Sequence, residues 1–211
     1  MSSRLNLAKL LAIPAGAELF TGNNLIVMAW ASRKVSTASM LRNWAIVYLG
    51  NMGGVLGIVF LVFLSHQFDM NGGRIGLSIL NTAISKIQLD FLTLFARAIL
   101  CNVLVCMAIW LAYAGRIVTD KIIAVILPIS AFAAAGFEHC IASMYFLFMA
   151  WLLKETNNIP AGFDTSLINA SGIVHNLVPD TLGNIVGGAG MVGIVYWIIY
   201  RATFGASRLE N

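Results

Sequence analysis

Long apolar runs separated by short polar connections set the pattern of this chain. The stretches 44–65, 91–114, 121–153 and 182–204 are uncharged or nearly so. Each is long enough to cross a hydrocarbon core of about 30 Å as a helix rising 1.5 Å per residue. A further apolar segment, Leu10 to Trp30, is interrupted by Pro14, Gly16, Glu18, Thr21, Gly22, Asn23 and Asn24. That predicts a half-helix break near 18–24, with a short helical piece over 25–32. Residues 66–90 read as a polar connection turning at Asn71-Gly72-Gly73, and 154–180 as a longer loop marked by Pro160, Gly162, Gly172 and Pro179. Lys86, His66 and His175 read as loop residues on this pattern.

The run from Ile122 to Leu153 would be roughly 48 Å long as a straight helix, well over the core thickness. It holds one carboxylate and one imidazole side by side, in Gly136-Phe137-Glu138-His139. An ionisable group at membrane depth costs about 2.5–3.5 kcal/mol on insertion scales, which marks it as functional. The break of this span is therefore expected at 136–139.

Composition agrees with the pattern. Of 211 residues 59% are hydrophobic and 10% charged, with mean hydropathy +0.85, whereas a soluble domain carries about 25% charged residues. The reading is an all-α polytopic membrane protein forming a single domain over 1–211. The net charge of +4 comes with no basic patch interleaved with aromatics, so nucleic acid is not an expected partner; the lipid bilayer is. Cys101, Cys106 and Cys140 lie inside apolar runs and read as small packing residues. No cleavable signal segment and no metal-ligand set stand out, and no cofactor is expected. Arg33, Lys34, Arg42, Arg116, Lys121, Arg201 and Arg208 fall on one side of the membrane, and Arg74, Lys86 and Lys154 on the other. The excess places the first set, and the carboxy terminus, in the cytoplasm.

Two parts of the chain look alike. Glu18 precedes Met28-Ala29-Trp30, and Glu138 precedes Met149-Ala150-Trp151 at nearly the same spacing. Gly50-Asn51 with Gly53-Gly54 echoes Gly183-Asn184 with Gly187-Gly188. The copies run oppositely through the membrane, giving an inverted repeat whose paired breaks point at a substrate path. The second copy is preceded by a full span, 91–114, and residues 1–13 are too short to supply its counterpart. About five of six symmetric spans are thus expected in this sequence.

Gly16-Ala17-Glu18-Leu19-Phe20-Thr21-Gly22-Asn23, Arg42-Asn43-Trp44 with Tyr48-Leu49-Gly50-Asn51, Gly136-Phe137-Glu138-His139 with Ile141-Ala142-Ser143-Met144, and Leu182-Gly183-Asn184-Ile185-Val186-Gly187-Gly188 together resemble the formate/nitrite transporter family. The likeness is greatest to its formate-channel branch. The resemblance implies six spans per protomer, an aquaporin-like fold, a homopentamer in the bacterial inner membrane, and small monovalent anions as substrates: formate, nitrite or hydrosulfide. It implies that His139 is the central pore histidine, that Thr21 lies in the loop breaking a span, and that Asn102 faces the pore. It puts Leu19, Phe20 and Val105 at the cytoplasmic constriction, Phe132 at the periplasmic one, and Lys86 near the periplasmic mouth.

The residues support compatible chemistry. Thr21 can cap a half-helix or offer its hydroxyl to an anion. His139 can donate a hydrogen bond or a proton to an anion held between two apolar slits, and the neutral acid then crosses either slit at lower cost. Glu18 and Glu138 are expected to hold the breaks by accepting from freed backbone N–H groups. Asn102 suits either pore lining or a helix–helix hydrogen bond. An intramembrane hydrolase lacks support: Glu138-His139 has no HExxH partner, and no Ser–His arrangement appears. A neutral-solute channel of aquaporin type would show Asn-Pro-Ala repeats. A non-transporting structural subunit, or an inactive short chain, is the alternative from another class.

Overall fold

The computed structural model describes residues 18–206, so the sequence expectations for residues 1–17 lie outside it. After the extended Leu19, helix α1 (Phe20–Asn23) runs through a 3-10 turn (Asn24–Ile26) into α2 (Val27–Ala31). Then follow α3 (Thr37–Leu64), α4 (Arg74–Ile87), α5 (Phe91–Ala114), α6 (Val118–Ala134) and α7 (Cys140–Glu155). The last helix runs unbroken in direction through α8 (Ala170–Ile185), a π-helical stretch (Val186–Ile194) and α9 (Val195–Ala206). Among the described residues, three helices are individually long and apolar enough to cross a membrane: Thr37–Leu64, Phe91–Ala114 and Ala170–Arg201. The chain leaves helical geometry after Ala134 and resumes it at Cys140, with Gly136 at φ +65 in the turn between, a conformation that costs glycine little.

Three elements differ from the sequence reading. The span expected to begin at residue 44 begins at Thr37, where the Ser36 hydroxyl accepts from the Ser39 N–H and caps it. The connection 66–90 contains α4, whose buried Gly76, Ile79, Leu80, Ala83 and Ile87 recur at helical spacing. Lys86 is therefore a helical residue in the last turn of α4. The final helix starts at Ala170, capped by the Asn169 side chain, and not near 182. Gly172 and Pro179, loop signals by local propensity, are both buried inside it. Packing outweighs propensity there, because Gly172 lets the helix close against the Leu167 carbonyl and Ile87. His175 accordingly stands on α8, against the Leu89 carbonyl, and not in a loop.

α5 is the hub, packing most extensively against α8, α6 and the π-helical stretch. The contact is close because glycines line it: a Cβ on Gly183 would collide with the Phe95 carbonyl, and one on Gly187 with the Ile99 carbonyl. Small residues that let backbones approach are how helices pack where lipid removes any hydrophobic drive between them. A second core joins α4 and α7 around Leu80, Ala83, Leu147, Leu153 and Ile168.

Candidate functional site

Each break is held by an asparagine from a following long helix. At the first, the Phe20 N–H donates to Asn51 Oδ1 at 2.9 Å, and Asn51 Nδ2 donates to the Glu18 carbonyl at 2.8 Å. At the second, the Cys140 N–H donates to Asn184 Oδ1 at 3.0 Å, and Asn184 Nδ2 donates to the Glu138 carbonyl at 3.0 Å and to the Ala98 carbonyl at 2.9 Å. One side-chain amide thus satisfies both backbone groups freed on either side of Leu19 or of His139. These bonds correct the expectation that Glu18 and Glu138 accept from backbone: among the described residues the carboxylates bond side chains instead. Asn23, five residues after Glu18, donates to Glu18 Oε2, and Asn43 reaches the same oxygen at 3.4 Å. Lys86 donates to Glu138 Oε2 at 2.5 Å, and Ser143, five residues after Glu138, donates to it at 3.2 Å. The Lys86 and Glu138 side chains are 13% and 4% exposed, so this ion pair is nearly out of solvent.

Between the two breaks sit Thr21 and His139, both buried. Thr21 Oγ1 lies 3.1 Å from His139 Nε2. The other ring nitrogen of His139 accepts from the Ala142 N–H at 3.3 Å and so caps α7. A nitrogen that accepts carries no proton, which leaves Nε2 as the N–H donor of the neutral ring, aimed at the Thr21 hydroxyl. Thr21 itself is inside α1, and the residue ahead of that helix, Leu19, makes no side-chain cap. What the pair can do is offer an N–H and a hydroxyl to one small polar atom in an otherwise apolar place.

The remaining residues singled out in the sequence fall around this centre. Asn102, fully buried on α5, donates to the Thr21 carbonyl at 3.2 Å and the Asn184 carbonyl at 2.5 Å, tying the two halves together. The Asn184 carbonyl also accepts from Asn24, at the point where the last helix widens into π geometry. Val105 belongs to an apolar cluster with Cys101 and Ile109, against which Leu25, Phe132 and Phe137 pack. The Phe132 ring stacks 6.0 Å from the His139 ring. Phe20 lies elsewhere, with Val47 and Cys140, edge-on to Tyr48. Leu19 is half-buried at the start of α1. Beside the first break opens a cavity of about 250 Å³ lined by Glu18, Asn23, Asn43 and Tyr113 among others.

In the sequence Asn51 and Asn184 stand out only as repeat markers, and Asp180 does not stand out at all. The signal for the two asparagines is the repeated Gly-Asn pair, Gly50-Asn51 and Gly183-Asn184: the residue after the glycine is the one that clamps a break. Asp180 is fully buried, and its Oδ2 lies 2.7 Å from Ser143 Oγ. No metal-ligating cluster occurs among the described residues.

An apolar helical bundle in which two asparagine-clamped helix starts, at Phe20 and at Cys140, meet at a buried polar pair defines an integral membrane protein of the channel and transporter class. Relatives narrow it. The profile of the formate/nitrite transporter family ("Formate/nitrite transporter") matches residues 7–198, and the chain belongs to that family. It is 37% identical over 204 residues to the formate channel FocA of Escherichia coli (strain K12), covering 92% of this chain and 71% of that one. It is 40% identical over 197 residues to the formate channel FocA of Haemophilus influenzae, covering 90% and 69%. Among solved structures, a pentameric formate channel with formate bound superposes with a TM-score of 0.82 at 41% identity, over 90% of this chain and 78% of that one. An FNT family ion channel does so with 0.75 at 31% identity, over 92% and 73%.

Proposed function

We propose that this chain conducts small monovalent anions, formate first among them, with His139 as the group that meets the anion. The observation that carries the reading is the His139 Nε2–Thr21 Oγ1 contact, a donor pair buried where α1 meets the start of α7. An arriving carboxylate oxygen replaces the Thr21 oxygen as acceptor of the His139 N–H, and the Thr21 hydroxyl is then free to donate to the same anion. Hydrogen bonds to a charged acceptor are stronger than neutral ones, which offsets part of the cost of desolvating the anion. A proton taken up from water as the anion arrives, and handed on through His139 so that the ring returns to its neutral form, lets the anion cross the apolar residues on either side, Leu19, Val105 and Phe132, as a neutral acid. Asn102 holds the Thr21 and Asn184 backbone that frames the path, and Lys86 neutralises Glu138 beside it.

The names of the relatives favour formate; nitrite and hydrosulfide share its small size and single charge and are the alternatives. The likeness to a pentameric channel supports a homopentamer. The inner membrane, with the carboxy terminus in the cytoplasm, fits the Lys and Arg distribution. Uptake of labelled formate by proteoliposomes containing the full chain tests the reading. Flux above that of empty liposomes, competed by nitrite, is expected. Assembled protein with no flux of any of these anions would leave the structural-subunit alternative.

A further inference from the structure

Beneath the second break two buried carboxylates share one cation. Glu138 is 3% exposed and Asp180 is not exposed at all, and the ammonium that bonds Glu138 is that of Lys86. Ser143 Oγ stands in the middle, 2.7 Å from Asp180 Oδ2, 3.2 Å from Glu138 Oε2 and 3.3 Å from Lys86 Nζ. Ser143 has a single hydroxyl proton, so it cannot donate to both carboxylates. Asp180 Oδ1 has no hydrogen-bond partner. Asp180 is the only buried aspartate among the described residues; Asp69, Asp90, Asp120 and Asp164 are exposed. With both acids ionised, the cluster would carry an excess negative charge out of water, one carboxylate oxygen of it bare, which is strongly disfavoured.

We infer that Asp180 is held as a neutral carboxylic acid, making the Asp180–Ser143–Glu138 chain a proton-holding site behind His139. In that arrangement Asp180 Oδ2–H donates to Ser143 Oγ, Ser143 Oγ–H donates to Glu138 Oε2, and Lys86 donates to the same Glu138 oxygen. The 2.7 Å separation suits an O–H···O bond. Both hydroxyl protons have an acceptor, Oδ1 becomes an uncharged carbonyl oxygen, and the cluster of Lys86, Glu138 and Asp180 is neutral. The other titratable groups within electrostatic reach of Asp180 are Cys101 on α5, Cys140 on α7 and Tyr48 on α3; none is a cation that would stabilise an ionised Asp180. Loss of the proton sets a net negative charge next to the Glu138-His139 turn and opposes an entering anion. Asp180 is thus a positioning residue that makes conduction fall as pH rises, a consequence that rests on the transport reading, although the protonation itself does not.

Infrared spectroscopy of the full chain in proteoliposomes reads the C=O stretch of a protonated carboxyl, which is separate from that of a carboxylate. At neutral pH a protonated band is expected. It should shift when aspartate is labelled with carbon-13 at its carboxyl, stay put when glutamate is labelled, and vanish in D180N. The asparagine amide can still donate to Ser143, so D180N should assemble and conduct formate with a flatter pH profile than the native chain. If D180N does not assemble, the isotope label decides alone. Absence of the band, a band that follows the glutamate label, or one that persists in D180N overturns the proposal. Absence of formate flux with the band present would overturn the transport reading and leave this one standing.

Discussion

The two breaks share a scaffold and differ in chemistry. In each, an asparagine one residue after a glycine accepts from one backbone N–H and donates to one backbone carbonyl, across a single intervening residue. That residue is Leu19 in the first and His139 in the second. The carboxylate ahead of it bonds neutral amides in the first break, Asn23 and Asn43, and a lysine and a serine in the second. The clamp is therefore a means of holding an unwound backbone inside an apolar bundle, and what it presents is free to vary. The surroundings also differ. Asn184 and its glycines are buried against α5, while Asn51 is half-buried and Gly50, Gly53, Gly54 and Gly57 have nothing within 4 Å.

The largest expected difference lies at the carboxylates. Lys86→Met strands Glu138 as a buried, uncompensated charge and should destabilise the detergent-solubilised protein by about 3–5 kcal/mol. Asn43→Ala, its counterpart at the half-buried Glu18, should cost about 1 kcal/mol or less. Comparable losses in thermal unfolding would mean the two carboxylates are equivalent after all. Next come the clamps: Asn184→Ala leaves the Glu138 carbonyl and the Cys140 N–H without partners and removes the extra bond to the Ala98 carbonyl, and about 2–4 kcal/mol is expected. Asn51→Ala, nearer solvent, should cost about 1–2 kcal/mol. The reverse ranking would place the weight of the fold at the first break.

How much of this was legible in the sequence follows from what each residue answers to. The break at Glu138-His139 was visible because two ionisable residues in a long apolar run contradict lipid on every side. α4 was overlooked because Asn71-Gly72-Gly73 and its own polar residues hid a five-position apolar stripe. The early start of α8 was hidden by Gly172 and Pro179, whose local preference loses to a contact with Ile87 that only the fold creates. For Asn102 the sequence is compatible with two roles, since it does not say which carbonyls an amide will meet. Ser143 and Asp180 lie on different helices, and nothing short of the tertiary structure brings them to 2.7 Å.

Smaller effects sharpen the comparison further. Gly187→Ala pushes a methyl into the Ile99 carbonyl and should cost about 1–3 kcal/mol. Gly54→Ala meets open space within the subunit and should change stability by less than about 0.5 kcal/mol; a large loss there would reveal another helix on that face. The smallest effect is expected at the entrance to α5. The Thr93 hydroxyl, then the Thr93 and Leu92 N–H groups, bond the Asp90 carboxylate and hold its pKa below the usual value. A depressed carboxylate stabilises the fold above its unfolded pKa and loses that contribution as pH falls through its folded one. Asp90→Ala should therefore lower the melting temperature slightly at neutral pH, with the difference fading in acid.

The claim that the second break does the chemistry turns on His139, and formate flux into proteoliposomes across a pH series, native against His139→Asn, tests it most directly. The expected result is an assembled variant whose flux is reduced and no longer follows the native pH dependence. A variant conducting formate at the native rate with the native pH profile would contradict it, and would reduce His139 to a cap on α7.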